Sequence, residues 1–175
     1  MASVQISKGE MLKRVARFKE LRPSRQAFVD SLIPGHERAI FNVIGRGVTE
    51  DAYLNPAITD ARDFNLTLVQ AAPTKGAALH SHTTVEVFIP LSGEWAIYWG
   101  DNGENEIVLG SWDTISVPPG VMRGFRNVGN EDAYLMAILG GTDAGRVSWA
   151  PQVLERAKQT GLQLDEQGNL MHKGY

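Results

Sequence analysis

A chain of 175 residues with 43% hydrophobic and 21% charged side chains can bury one sizeable core, so one domain with modest appendages is the expectation. The net charge of -3 and scattered Lys and Arg, clustered only at Lys13-Arg14 and Arg17-Lys19, exclude a basic face for nucleic acid. Without cysteine there are no disulfides, no thiolate ligands and no cysteine nucleophile, so any metal must be held by nitrogen and oxygen.

Near the start, Ser7-Lys8-Gly9-Glu10 reads as a capping box ahead of Met11, Leu12, Val15 and Phe18 at helical spacing. This predicts a short amphipathic helix ending near Leu21-Arg22-Pro23. Met1 to Phe18 carries charges where a signal peptide has its apolar core, and no apolar run reaches the roughly 18 residues of a membrane span. The expectation is a soluble, cytoplasmic protein with no membrane partner. From Ala27 to Asp60 the pattern is mixed, with turns at Pro34-Gly35 and Asn55-Pro56 and a strand over Ile40 to Ile44.

Beyond Asp63 the period becomes two. Phe64, Leu66 and Leu68 alternate with Asn65, Thr67 and Val69, and short runs recur at Glu86 to Pro90, Trp95 to Trp99, Thr114 to Val117 and Tyr134 to Leu139. Turn clusters such as Pro73 to Gly76, Asp101-Asn102-Gly103 and Pro118-Pro119-Gly120 separate them, as in an all-β sandwich or barrel. Pro151 at a first helical position, with Val153, Leu154 and Ala157 on one face and Gly161 beyond, predicts a terminal helix followed by a loosely packed tail from Leu162 to Tyr175. The divisions are thus 1–62 for the helix and lead-in, 63–141 for the barrel core and 142–175 for the terminal helix and tail.

Two motifs carry the chemistry: His80-Ser81-His82-x3-Glu86-x6-Gly93 and Pro118-x-Gly120-x2-Arg123-x3-Asn127. Residues two apart on a strand project to one face, about 6.6 Å apart along the chain, so His80 and His82 can converge on one ion. An unbroken strand would carry Glu86 roughly 20 Å beyond His80, outside any coordination sphere. The chain must therefore reverse near Thr83-Thr84, bringing Glu86 back on the next antiparallel strand. Two imidazoles and one carboxylate then make a facial triad suited to a divalent ion with open positions. A lone His-x-His is also common on solvated strand faces, and it is the spacing to Glu86 and Gly93 that favours a site.

With both motifs in order, the stretch from Asp63 to Gly141 resembles the cupin superfamily. The resemblance implies an all-β fold, a cupin double-stranded β-helix or jelly-roll barrel, with N-terminal and C-terminal helical extensions outside it and a homodimeric assembly. It assigns His80, His82 and Glu86 to metal-ligand positions for one divalent metal ion (Fe, Mn, Ni or Zn), and Gly93, Pro118, Gly120 and Asn127 to structural turns. Two departures stand out: Gly76 lies closer to the first histidine than the family pattern has it, and Arg123 occupies the second motif's histidine position.

A guanidinium stays protonated and cannot ligate a cation, which leaves three readings of Arg123. It turns from the ion to clamp a substrate carboxylate; it pairs with Glu86 and replaces the metal; or it faces a structural partner while another residue, such as Gln70 or Tyr98, completes the shell. The first is preferred, with Glu86 and Arg123 as the catalytic pair and Arg123, Phe88, Phe125, Tyr98 and Gln70 around the substrate. Trp95, Trp99 and Trp112 are expected to pack in the barrel core or a dimer interface. His36 is read as a solvated turn residue, His172 as uninvolved, and Glu50-Asp51 and Glu131-Asp132 as solvated acidic loops. The resulting expectation is a metal-dependent enzyme acting on a small anionic or polar organic substrate, resembling quercetinase-like cupin dioxygenases. Alternatives are a non-enzymatic small-molecule-binding module, serving as sensor or store, and a sugar or keto-compound isomerase.

Overall fold

The computed structural model describes residues 3–172. Ten strands form two five-stranded antiparallel sheets. One holds β1 (Ala39–Ile44), β2 (Phe64–Ala71), β9 (Ala133–Gly140), β4 (Glu86–Pro90) and β7 (Ile115–Val117), in that order. The other holds β10 (Ser148–Trp149), β3 (Gly76–Ser81), β8 (Arg123–Asn127), β5 (Trp95–Trp99) and β6 (Asn105–Leu109). Strands with one face inward alternate in burial, and β9 shows this from end to end, with Leu135, Ala137 and Leu139 buried between half-buried neighbours. Phe88, Trp95, Ile97, Phe125 and Leu135 meet between the sheets, each worth about 1.5–3 kcal/mol on burial. Phe88 and Phe125 pack at 5.3 Å between ring centroids, with Trp95 against Phe125 at 6.0 Å. This is the double-stranded β-helix the sequence pointed to.

Gly76 opens β3 for a steric reason. A Cβ there would lie 1.8 Å from the Phe125 carbonyl oxygen, so only glycine lets β3 and β8 approach this closely. At the far end of β8, the buried Asn127 amide donates to the carbonyls of Ala71 (2.9 Å) and Glu131 (2.7 Å), locking the loop before β9.

Two expectations change. The N-terminal helix, α1, is only Lys8–Leu12; its capping box forms, with Ser7 and Glu10 reciprocally bonded, but no residue of it is buried. Met11 and Leu12 stay about half exposed, and the chain continues as a 3-10 turn at Phe18–Glu20, where Phe18 seats against Phe41 and Tyr134. The terminal helix α2 (Pro151–Gln159) is present with Pro at its start, burying Val153 and Ala157. Beyond it the predicted loose tail is instead a hairpin of β11 (Leu162–Leu164) and β12 (Leu170–His172), with Leu162 buried. The His172 side chain lies outside the described residues. Among the described residues no helix is long and apolar enough to cross a membrane.

Candidate metal centre

His80 lies on β3, in register with Arg123 of β8 on one side and Trp149 of β10 on the other. Glu86 arrives from elsewhere: the turn at Thr83-Thr84 carries the chain from one sheet to the other, so Glu86 sits on β4 across the barrel. The reversal is where the sequence requires it, but the carboxylate faces the histidines from the opposing sheet rather than from a neighbouring strand. The two motifs are also tied directly, since the Gly120 amide donates to the His82 carbonyl at 2.8 Å.

His80, His82 and Glu86 are all buried, and each offers one ligand atom within 4.8 Å of the others. His80 Nδ1 donates to the Ala78 carbonyl at 2.7 Å, which fixes the tautomer and leaves Nε2 as the lone-pair nitrogen. The Arg146 backbone carbonyl approaches His82 closely enough to favour its charged form, but without hydrogen-bond geometry, and Nδ1 is left without a partner. His82 Nε2 lies 3.5 Å from Glu86 Oε2. Burial holds both imidazoles neutral: it drives His80 well below the usual range, helped by His82 and Arg123, and lowers His82 to about 3, with Arg123 adding to the effect. Burial pushes Glu86 upward, opposed by the charge and hydrogen bond of Arg123. Neutral imidazoles are the form that ligates a metal.

Arg123 is 0% exposed and does not reach into the cavity beside the histidines. Its Nε donates to Glu86 Oε2 at 3.0 Å and its Nη1 to the Val121 carbonyl at 2.9 Å. Its Nη2 is also 2.9 Å from Glu86 Oε2, without the geometry of a second hydrogen bond. Arg123 is therefore the partner of Glu86, and the expected outward clamp on substrate gives way to that ion pair. The reason is the register: opposite His80 and turned inward, a guanidinium finds one carboxylate in reach.

The inner cavity at the triad holds about 40 Å3. Phe125 lines it, as do Trp149, Arg38 and the aliphatic Ile40, Val69 and Leu139. Other candidates lie apart from it. Phe88 is sealed in the core behind Phe125, and the Tyr98 hydroxyl donates to the Ala77 carbonyl at 2.5 Å while Arg126 covers its ring. Gln70 bonds Asp132 at the surface. Trp95 is core and Trp99 half-buried, but Trp112 is 73% exposed. His36 is half-buried and its pKa lowered chiefly by that burial, not a freely solvated turn residue.

Several residues around the site carried no motif. Trp149 packs on His80 at 5.3 Å, and its indole N–H donates to Glu50 Oε1 at 2.7 Å. Glu50, read as part of a solvated loop, is 4% exposed; its Oε2 accepts the Val29 amide at 2.6 Å, and burial raises its pKa to about 7 against both hydrogen bonds. Arg38 and Asp30 form a second buried ion pair. An arginine placed one residue before a strand, as Arg38 is before β1, was the available signal, but nothing local distinguishes it from a surface arginine.

An antiparallel two-sheet barrel with two inward histidines and a facing glutamate defines the class. Residues 67–139 match the family model described as Cupin domain. The fold is similar to the polyketide cyclase RemF from Streptomyces resistomycificus (TM-score 0.57, 15% identity, covering 77% of this chain and 82% of that one). It is also similar to a cupin 2 domain-containing protein from Halorhodospira halophila (TM-score 0.53, 18% identity, covering 70% and 77%). A third similar structure is the DMSP lyase DddQ from Ruegeria pomeroyi DSS-3 (TM-score 0.51, 18% identity), where the match spans 64% of this chain and 51% of the lyase. No curated protein matches the chain in sequence.

Proposed function

We propose that the chain is a metal-dependent cupin enzyme acting on a small polar or anionic organic substrate, with one divalent ion held by His80, His82 and Glu86. The supporting observation is the pairing of His82 Nε2 with Glu86 Oε2 at 3.5 Å. His82 Nδ1 has no hydrogen-bond partner, so its Nε2 is free to present a lone pair beside the bare Nε2 of His80, with the Glu86 carboxylate in reach. A divalent cation would satisfy these buried acceptors together. Such an ion supplies Lewis acidity and open positions for a substrate oxygen. Arg123 fixes the orientation of Glu86 and offsets part of its charge, so an anionic substrate restores the balance. The cavity of about 40 Å3 has room for little more than an ion and one or two water-sized groups, a fit to dioxygen chemistry. The activities of the similar structures, a cyclase and a lyase, differ from one another and set no reaction.

A metal-free binding module is the second reading, favoured by the Arg123–Glu86 pair, which occupies one carboxylate oxygen. Metal analysis separates the two: about one divalent ion per chain is expected after reconstitution. Protein that stays metal-free with iron, manganese, nickel and zinc sinks the first reading.

The chain is further proposed to act as a homodimer. The outward side chains Leu66, Leu68, Val87, Ile89, Met136 and Ile138 are apolar and half-buried, the pattern of strands covered on both faces. Sedimentation should show a dimer that Ile138→Lys converts to monomer; a wild-type monomer contradicts it.

A further inference from the structure

Next to the inner cavity lies a much larger cleft of about 560 Å3. Three loops and a hairpin wall it: 45–50 after β1, 142–147 after β9, the segment around Thr59, and the turn of the β11–β12 hairpin. It shares Val48, Thr49 and Val147 with the inner cavity, so the two adjoin at these three side chains. The size difference divides the roles. A space of about 40 Å3 admits a reacting end only, whereas small-molecule sites typically measure roughly 300–1,000 Å3.

The cleft is built rather than incidental. Asn65, buried, accepts the Gly47 amide at 3.1 Å and donates to the Gly141 carbonyl at 2.9 Å, pinning two walls to one side chain. Gly45 has φ of 69°, and a Cβ there would meet Asn65 Oδ1 at 2.0 Å, so this loop holds its place only with glycine. The hairpin is fastened to the opposite wall by the Leu170 amide, which donates to the Glu50 carbonyl at 2.9 Å. Arg146 lies across the hairpin turn, its Nη1 within 3.2 Å of where a Gly168 Cβ would stand.

The charges and side chains of the lining indicate what binds. Arg46 and Arg146 both line the cleft, and among the described residues neither forms an ion pair. The acidic groups present are engaged: Asp143 Oδ1 accepts the Gly145 amide at 2.8 Å, and both oxygens of Glu50 are taken by Trp149 and Val29. Thr59, Thr142 and Gln167 offer hydroxyl and amide groups, and among the described residues no aromatic side chain lines the cleft. A flat aromatic substrate would want ring faces to stack on, and finds none among them.

We infer that the cleft binds a small hydroxylated organic oxyanion, its charged end held by Arg146 and Arg46 and its other end directed past Thr49 and Val147 to His80, His82 and Glu86. Arginine suits this task because its planar fork pairs with carboxylate or phosphate oxygens, while the threonine and amide groups take the hydroxyls. The direction of the inner end rests on the metal-dependent reading above; the oxyanion site itself does not.

Titration calorimetry of the metal-free chain at low salt, with malate, gluconate and glycerol 3-phosphate against uncharged 1,4-butanediol, tests it. At least one of the three anions binds saturably and the diol does not, and the ranking of carboxylates against the phosphate identifies the charged group. Arg146→Gln weakens binding tenfold or more and Arg46→Gln several-fold. Manganese uptake by wild type is read in a separate titration. The inference is overturned if none of the anions binds, or if the Arg46→Gln, Arg146→Gln double variant keeps wild-type affinity. Loss of manganese uptake in wild type with anion binding intact would overturn the metal reading alone.

Discussion

Two buried arginine–carboxylate pairs sit within this barrel, and they are built differently. Arg38 meets both oxygens of Asp30, at 3.0 and 2.9 Å, and also donates to the carbonyls of His36 and Gly76, while Asp30 accepts the Ala78 amide at 2.9 Å. That pair fastens the lead-in segment to β3 through backbone groups, with Asp30 Oδ1 and Arg38 Nε left without a hydrogen-bond partner. Arg123 instead addresses one oxygen of Glu86, and two imidazoles face the same carboxylate. The first pair is spent mostly on backbone groups of two segments, whereas the second shares its carboxylate with two metal-ligating imidazoles. The first is placed to hold the fold, and the second borders a group of atoms able to hold an ion.

The largest effect expected from breaking this contrast is on the backbone-tied pair. Arg38→Met leaves Asp30 buried without its cation and should cost about 3–5 kcal/mol in chemical denaturation, with metal uptake per folded chain unchanged. Loss of metal at full stability would reverse the assignment of roles.

Glu50 extends the comparison to a buried carboxylate without a direct cation. Its pKa is raised in the fold from 4.5 to about 7, so the protonated form is favoured when folded. Below about 4.5 both states are protonated and there is no penalty; as pH climbs from there through 7, stability falls by roughly 3 kcal/mol in total. Glu50→Gln should flatten that profile in thermal unfolding across pH. It should also lower the whole curve, because one amide NH2 must face a donor, Val29 N–H or Trp149 Nε1–H. An unaltered pH slope in the variant would contradict the account.

Arg123→His, a smaller change in energy, sharpens the second pair. It frees Glu86 Oε2 and sets a third imidazole opposite His80 in the strand register. Metal should bind about tenfold tighter, roughly 1.4 kcal/mol. Weaker binding would mean that Arg123 is needed to orient Glu86 more than it opposes the ion. The smallest effect belongs to a half-exposed control on the same strand, the Arg126–Glu106 pair, where Arg126→Gln should cost less than about 1 kcal/mol.

Much of the barrel was legible in sequence because its information is local. Period-two alternation marks β2 and β9, and the turn residues mark their ends. The spacing of His80, His82 and Glu86, with the impossibility of an unbroken strand between them, required the reversal at Thr83-Thr84. What the sequence could not settle depends on which sheet a strand joins. Glu86 was expected beside β3 and lies across from it, because a crossing turn and a hairpin turn carry similar residues. Arg123 was read as a substrate clamp since its register opposite His80 is a tertiary fact. The N-terminal helix was overextended because helical spacing continues through Val15 and Phe18, but no partner surface rewards it beyond Leu12. Glu50 reads in sequence as part of a solvated acidic loop because its burial depends on Trp149, 99 residues away.

The central claim is that His80, His82 and Glu86 hold an ion while Arg123 holds Glu86. It is tested most directly by manganese titration, followed by electron paramagnetic resonance, of wild type, His82→Ala and Glu86→Gln. One site per chain in wild type, with loss in both variants while each stays folded, is the predicted result. Equal manganese binding in all three, or none in wild type, would contradict it.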